Sequence, residues 1–161
     1  MPNYMGIALV ACMFPCGIME AQQPERVSFC DLIEDPGKFD GRAVTLSASY
    51  RYGFEWQELF CFSCRGSARV WLNPGDEPSK LLARELRRLP KHQGTINGTF
   101  TGVFRGGASA YGDGGHRYQP DLSALGGINI VSKSGAVPEA LRAAQRKRLY
   151  DCKTLTPGNR E

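Results

Sequence analysis

Arg42-Ala-Val-Thr-Leu-Ser-Ala-Ser-Tyr-Arg-Tyr52 sets Val44, Leu46, Ala48, Tyr50 and Tyr52 on one side of an extended chain, and Thr45, Ser47, Ser49 and Arg51 on the other. Successive side chains of a strand point to opposite faces, so this period of two predicts a strand with one face against a core. Asp40-Gly41 before it reads as a turn. Beyond it, Gly53 breaks the alternation, and Phe54-Glu-Trp-Gln-Glu-Leu-Phe-Cys-Phe62 resumes it with aromatic residues. That run predicts a second strand, with a turn through Ser63 to Ser67 and a third strand over Ala68 to Leu72 completing a hairpin.

Asn73-Pro74-Gly75-Asp76 stops the sheet pattern, and Ser79 is placed to cap a helix in which Leu82, Leu86 and Leu89 fall at i, i+4 and i+7 before Pro90. Gly94 to Arg105 returns to alternation with Ile96, Phe100 and Phe104, and Gly98 and Gly102 on the same face suit a bend or a close backbone approach. Gly106 to Gly115 reads as a glycine-rich loop, Gly126 to Lys133 as a short fifth strand, and Pro138 to Tyr150 as a terminal helix. Near the start, Ser28-Phe-Cys-Asp31 has capping-box spacing ahead of Leu32 and Ile33, and predicts a short helix ending before Asp35-Pro36-Gly37. Three strands, a helix and two further strands give the expected fold: mainly β, a five-stranded OB-like barrel with a helix between strands 3 and 4 and short terminal helices.

A chain of 161 residues suits one domain. Its net charge of +4 is mildly basic, which permits contact with anionic polymers or membrane surfaces and falls short of a nucleic-acid signature. Residues 1–21 read as a signal-peptide-like leader, 22–135 as the barrel domain, and 136–161 as a basic C-terminal helix and tail. The leader core, Gly6 to Met19, is uncharged and interrupted by Pro15. It is shorter than the roughly 20 residues a transmembrane helix needs, so none is expected in the mature protein. The first basic residue is Arg26, which departs from the usual charged leader start. Leu9-Val10-Ala11-Cys12 resembles a lipobox and makes Cys12 a candidate for lipidation.

Of six cysteines, Cys12 and Cys16 go with the leader, and Cys30, Cys61, Cys64 and Cys152 remain as disulfide candidates. An even number in a small exported domain favours cross-links, with three possible pairings. Pairing Cys30 with Cys152 would close nearly the whole domain. The expectation here is Cys30 bonded to Cys61 or Cys64, since the segment leading into strand 1 can lie beside that hairpin.

The chain also resembles a family of small, uncharacterised exported bacterial proteins with an OB-like β-barrel. The stretches that carry this are Phe29-Cys30-Asp-Leu-Ile-Glu-Asp-Pro36 running into Phe39-Asp-Gly41-Arg-Ala-Val44, Tyr52-Gly-Phe-Glu55, Val70-Trp-Leu72, and Tyr111-Gly-Asp-Gly-Gly-His-Arg-Tyr118. The resemblance spans residues 27 to 132 and implies a fold and an export route, but no activity. The uncharged leader and the basic C-terminal helix depart from it.

Several constellations offer chemistry. Cys61-Phe-Ser-Cys64 has redox-motif spacing but follows a strand-like run, where a thioredoxin-type thiol needs a helix N-terminus. With His92 and His116 the same cysteines would make a two-sulfur, two-nitrogen zinc set, although the histidines lack motif spacing. Alternation puts Glu55 and Glu58 on opposite faces, so they do not read as paired acid-base carboxylates. Glu58 reads as solvated, Glu55 as holding a turn or pairing with an arginine, and His116, beside Tyr111 and Tyr118, as anchoring the loop. Tyr52, Trp56, Phe60, Phe62 and Trp71 could stack bases as other OB barrels do, but burial in the core accounts for them more simply, and export makes nucleic acid an unlikely partner. Arg84, Arg87, Arg88 and Lys91, and again Arg142, Arg146, Lys147 and Arg148, form basic helix faces, the second a candidate contact for an anionic surface.

The resulting expectation is a disulfide-stabilised, non-enzymatic binding or interaction module, periplasmic or secreted, with a lipid-anchored form as the variant. Its partner is expected to be an envelope protein or an anionic surface, and no catalytic, metal or cofactor residues are assigned. A single-stranded nucleic-acid-binding OB domain and a thiol-redox or zinc protein using Cys61 and Cys64 are the alternatives.

Overall fold

A computed structural model describes residues 23–64, 68–107 and 110–133, together with Glu139, Ala143 and Cys152. The elements in chain order are β1 (Glu25–Arg26), α1 (Phe29–Glu34), α2 (Pro36–Phe39), β2 (Ala43–Tyr52), β3 (Gln57–Phe60), β4 (Arg69–Trp71), α3 (Lys80–Leu86), β5 (Gly94–Arg105) and β6 (Gln119–Ser132). The fold is mainly β, and its strands form one six-stranded sheet.

Along the path β4-β3-β2-β5-β6 every neighbour pair is antiparallel. The alternating strand β2 lies at the centre. On one edge it pairs over its whole length with β5, from Ala43 opposite Val103 to Tyr52 opposite Gly94. Its other edge is shared: β1 runs parallel beside Val44 and Thr45, and β3 lies antiparallel to Ser49 through Tyr52. Val44, Leu46, Ala48 and Tyr50 are buried together with Phe29, Leu59, Ile96, Phe100 and Phe104, which form the core beneath the sheet. Ser49, on the opposite side of β2, is buried as well and donates to Asn97 Oδ1 at 2.7 Å.

The sheet is open: β4 and β6, the ends of the strand path, do not pair as strands, and only the segment after β4 joins β6, through an isolated bridge. Beyond β4 the chain continues in an extended form to Asn73 and runs parallel to the start of β6. The Trp71 N–H donates to the Tyr118 carbonyl (2.9 Å), the Asn73 N–H to the Pro120 carbonyl (3.1 Å), and the Leu122 N–H to the Asn73 carbonyl (2.7 Å).

Strand β6 starts seven residues before the expected Gly126. Pro120 argues against a strand at the sequence level, and the register shift between Thr101 and Gly102 places Ser123 as an extra residue, so buried Leu122 and Leu125 fall three apart and hide the period of two. Gly102 is required at that irregularity, because a Cβ there would sit 2.2 Å from the Asp121 carbonyl oxygen.

Both expected caps form: Ser28 Oγ accepts from the Asp31 N–H and Ser79 Oγ from the Leu82 N–H. α1 ends at Glu34, before Asp35-Pro36-Gly37 as expected, and a second short helix follows at once. Pro36 opens α2, since a proline in the first turn gives up only an N–H that has no helical partner there. The expected terminal helix is represented by helical Glu139 and Ala143, and its remainder and the leader lie outside the described residues. Among the described residues no helix is long and apolar enough to cross a membrane.

Candidate functional site: the Glu58 cleft and the cysteine cluster

Glu58 is only 6% exposed, which corrects the expectation of a solvated carboxylate. Alternation does turn it away from the Leu59 side, but that outer face is covered. Hairpin register places Arg51 directly opposite on β2, where its Nη2 donates to Glu58 Oε2 at 2.6 Å. Arg69, from β4, brings Nη1 to 3.4 Å from both carboxylate oxygens. The loop between β5 and β6 folds over the group and sets His116 Nε2 3.3 Å from Glu58 Oε1.

That loop is fixed by its own residues. The Tyr111 N–H donates to the His116 carbonyl at 2.9 Å. Gly112 has φ +63°, and a Cβ on it would fall 2.3 Å from the Trp71 indole, so only glycine lets the loop lie on that ring. The His116 imidazole packs against the same indole, its ring centre 5.3 Å from that of Trp71. Asp113 Oδ1 accepts from the Gly115 N–H at 2.9 Å and lies 3.4 Å from His116 Nδ1, within ion-pair reach but without hydrogen-bond geometry. The Gly115 N–H, and after it His116, hold the Asp113 carboxyl below its usual range.

Together these residues border a cleft of about 480 Å³, with Glu58 at its floor and Arg69, His116, Arg117 and Tyr118 around it. Arg69 and Arg117 are exposed, whereas His116 is buried. The Glu58 carboxylate is therefore held by Arg51 and Arg69, and Arg117 lines the same cleft.

The aromatic residues do not form an open stacking row. Phe60 is buried against Phe62. Tyr52 stacks on Tyr50, Trp56 lies beneath the Arg51 guanidinium, and Trp71 is covered by Gly112. The Tyr52 hydroxyl donates to the Pro90 carbonyl at 2.8 Å, and burial pushes its pKa up to about 12. Burial, with Tyr52 alongside, raises Tyr50 too. Both phenols are thus structural donors at neutral pH.

A second polar centre ties β6 to the end of β4. Asp121 accepts from Asn73 Nδ2 (3.0 Å), Gln119 Nε2 (2.9 Å) and Arg105 Nε (3.0 Å). Burial alone would raise its pKa, but these three donors outweigh it and the carboxyl is held below the ordinary range. A depressed folded-state pKa contributes stability above the unfolded value and loses it as pH falls through the folded one. The stability gap between the native protein and Asp121→Asn is therefore expected to be largest near neutrality and to shrink below about pH 4, as read by urea midpoints across that range. A gap that stays constant with pH would rule out this contribution.

Cys30, Cys61, Cys64 and Cys152 come together. Cys30 is in the first turn of α1, and Cys61 and Cys64 bracket the turn after β3, where the Cys64 N–H donates to the Cys61 carbonyl at 3.4 Å. Cys30 is bonded to Cys64 and Cys61 to Cys152, with Cα separations of 5.1 and 6.2 Å that lie in the ordinary disulfide range. The Phe29 N–H also donates to the Cys152 carbonyl, so Cys152 is held against the start of α1. The cysteine cluster includes neither His92 nor His116, so the two-sulfur, two-nitrogen zinc set is not assembled. His92 instead takes a positive φ in the turn before β5.

No family model, curated protein or solved structure matches the chain.

Among the remaining candidates, Arg84 and Arg88 both pair with Glu85 on α3, a self-contained surface arrangement. Cys12, Arg142, Arg146, Lys147 and Arg148 lie outside the described residues. Arg69 and Arg117 were not singled out by sequence reasoning. Isolated arginines in a strand and a loop carry no spacing signal, and only the hairpin register and the loop fold bring them to one rim.

Proposed function

We propose that the protein is an exported, non-enzymatic binding module on an OB-type barrel that takes an anionic partner of the cell envelope in the cleft above Glu58. The OB reading is supported by the strand path, by α3 lying between β4 and β5, and by the isolated parallel bridge between Asn73, just after β4, and Asp121 of β6. Export is supported by the two disulfides, which persist in oxidising compartments.

The observation that carries the binding reading is the charge arrangement at the rim. Arg69 engages Glu58 through one terminal nitrogen at 3.4 Å while its side chain stays 54% exposed. A guanidinium has five N–H donors in a planar fork suited to carboxylate, sulfate or phosphate oxygens. With Arg117 exposed beside it and Glu58 already held by Arg51, the rim has cationic donors in excess over carboxylate.

Polyglutamate and heparin are suitable probes. Each is expected to bind the oxidised protein with an affinity that falls as salt rises, and the Arg69→Ala/Arg117→Ala variant is expected to lose about tenfold, roughly 1.4 kcal/mol, with its unfolding midpoint little changed. Unchanged affinity in that variant would sink the cleft reading. Oligothymidylate binding abolished by replacing Trp56 and Trp71 would favour the nucleic-acid alternative. Intact mass of the protein from native cells tests export through loss of the leader.

A further inference from the structure

We propose that the reduced chain is a zinc protein, in which Cys30, Cys61, Cys64 and Cys152 supply four thiolates to one Zn²⁺ while the two disulfides are open. The sulfur atoms of Cys30, Cys61 and Cys64 all lie within 4.8 Å of one another. Cys152 is tied to that group through its bond to Cys61, and its sulfur lies just outside the 4.8 Å set. A tetrahedral thiolate site with Zn–S bonds of about 2.3 Å has sulfur–sulfur edges of about 3.8 Å. Reaching that shape requires the two bonded sulfur pairs to part to the length of such an edge and the Cys152 sulfur to swing in toward Cys30 and Cys64.

The donor set is chemically uniform. Four soft sulfur ligands with tetrahedral access select zinc over the harder cations. Cys61 and Cys64 have the two-residue spacing common in structural zinc sites, and their turn is already closed by the Cys64 N–H to Cys61 carbonyl bond. Cys30 and Cys152 arrive from two separate segments, themselves joined by the Phe29 N–H to Cys152 carbonyl bond. Cys30, Cys61 and Cys152 are buried and Cys64 is partly so, which shields a bound metal from water.

The two states exclude each other by electron count. Opening the pair of disulfides takes four electrons and four protons and yields four thiols: a dithiol supplies both and becomes a disulfide, whereas a phosphine supplies the electrons and becomes its oxide, with water giving the oxygen and the protons. Zn²⁺ then displaces the four thiol protons and leaves a tetrathiolate with a net charge of −2. Reoxidation returns four electrons to an acceptor, reforms the two S–S bonds and expels the metal. On the export reading above, the same four residues close the fold by metal on the reducing side of the membrane and by disulfides on the oxidising side.

The test uses the full chain, reduced with a phosphine without oxygen and titrated with Co²⁺ and then Zn²⁺. Expected are the visible and near-ultraviolet bands of tetrahedral cobalt thiolate, saturating at one Co²⁺ per chain and erased by one Zn²⁺. Alkylation followed by peptide mass mapping is expected to modify Cys12 and Cys16 and to spare the other four cysteines when zinc is present. Cys30→Ser is expected to weaken zinc binding by about tenfold or more, since loss of even an outer-sphere partner costs that much, whereas Cys12→Ser/Cys16→Ser leaves it unchanged. Absence of the cobalt bands overturns the proposal even if the reduced metal-free chain is unfolded, because metal binding to such a site supplies folding free energy itself. Equal binding by the oxidised chain, or alkylation of any of the four in the presence of zinc, overturns it too. None of these outcomes involves Arg69 or Arg117, so failure here and failure of the cleft reading are separately visible.

Discussion

Glu58→Ala is expected to lower the unfolding free energy by about 3 kcal/mol, the lower end of the range for removing one partner of a buried ion pair. The buried carboxylate is the common acceptor for Arg51, Arg69 and His116. Without it, Arg51, whose side chain is 20% exposed, is left beneath the hairpin with its strongest contact gone, and His116 loses its partner inside the loop. Arg69 rotates into water at little cost, as exposed pairs contribute at most about 1 kcal/mol. Glu58→Gln keeps an acceptor and should lose less than the alanine variant. Arg51→Met/Glu58→Leu removes both charges together and should recover most of the stability, since apolar replacement of a buried pair is often neutral. Urea unfolding of the set, combined as a double-mutant cycle, measures the coupling. A Glu58→Ala loss within about 0.5 kcal/mol of zero would mean that the cluster is solvated in practice and that the cleft floor is not built as described. The same variant makes the cleft more cationic, so its affinity for polyglutamate at low salt is expected to rise while its stability falls.

Much of the scaffold was legible because local rules and tertiary contacts agreed. β5 begins and ends at the residues where its alternation does, and β2 differs from its pattern by one residue. Both strands have one face on the core, so side-chain period and burial carry the same information. Where the expectation was wrong, a second influence acted on the chain. Leu122 and Leu125 fall out of phase because the register shifts opposite Gly102, and α2, which follows the correctly expected end of α1, is four residues long and too short to show a period. The Glu58 cluster was hidden for a different reason. Alternation correctly separated Glu58 from Leu59, but whether an outward face meets water depends on what lies over it. Here that is a loop joined to Trp71 through Gly112, some forty residues farther along the chain. Arg51 opposite Glu58 follows only once the hairpin register is fixed, and Arg69 and Arg117 have no periodicity to reveal them. The disulfides were legible as a count of cysteines, and only the docking of Cys152 against α1 resolves which sulfur meets which.

Cys61→Ala/Cys152→Ala is expected to destabilise the oxidised protein by about 4–5 kcal/mol, the largest effect of any pairwise change considered, because chain-entropy stabilisation grows with loop length. The Cys61–Cys152 link spans 91 residues and Cys30–Cys64 spans 34, for which loop closure gives about 4.6 and 3.8 kcal/mol. Both cysteines must be replaced together. A lone Cys61 thiol would remain within 4.8 Å of the Cys30 and Cys64 sulfurs and could exchange with their bond. Alanine is preferable to serine, since Cys61 and Cys152 are nearly fully buried and a hydroxyl there would add an unsatisfied polar group. Domains of this kind have total stabilities of about 5–15 kcal/mol, so the variant is expected to be marginal at room temperature, with a clearly lowered urea midpoint. Cys30→Ala/Cys64→Ala should lose roughly 1 kcal/mol less. The ordering matters more than either magnitude, because the loops overlap at residues 61–64 and each bond stays in place to constrain the chain when the other is removed. If Cys30→Ala/Cys64→Ala proved the more damaging pair, packing of α1 against the β3 turn, rather than entropy of the long loop, would be the main contribution of these cross-links.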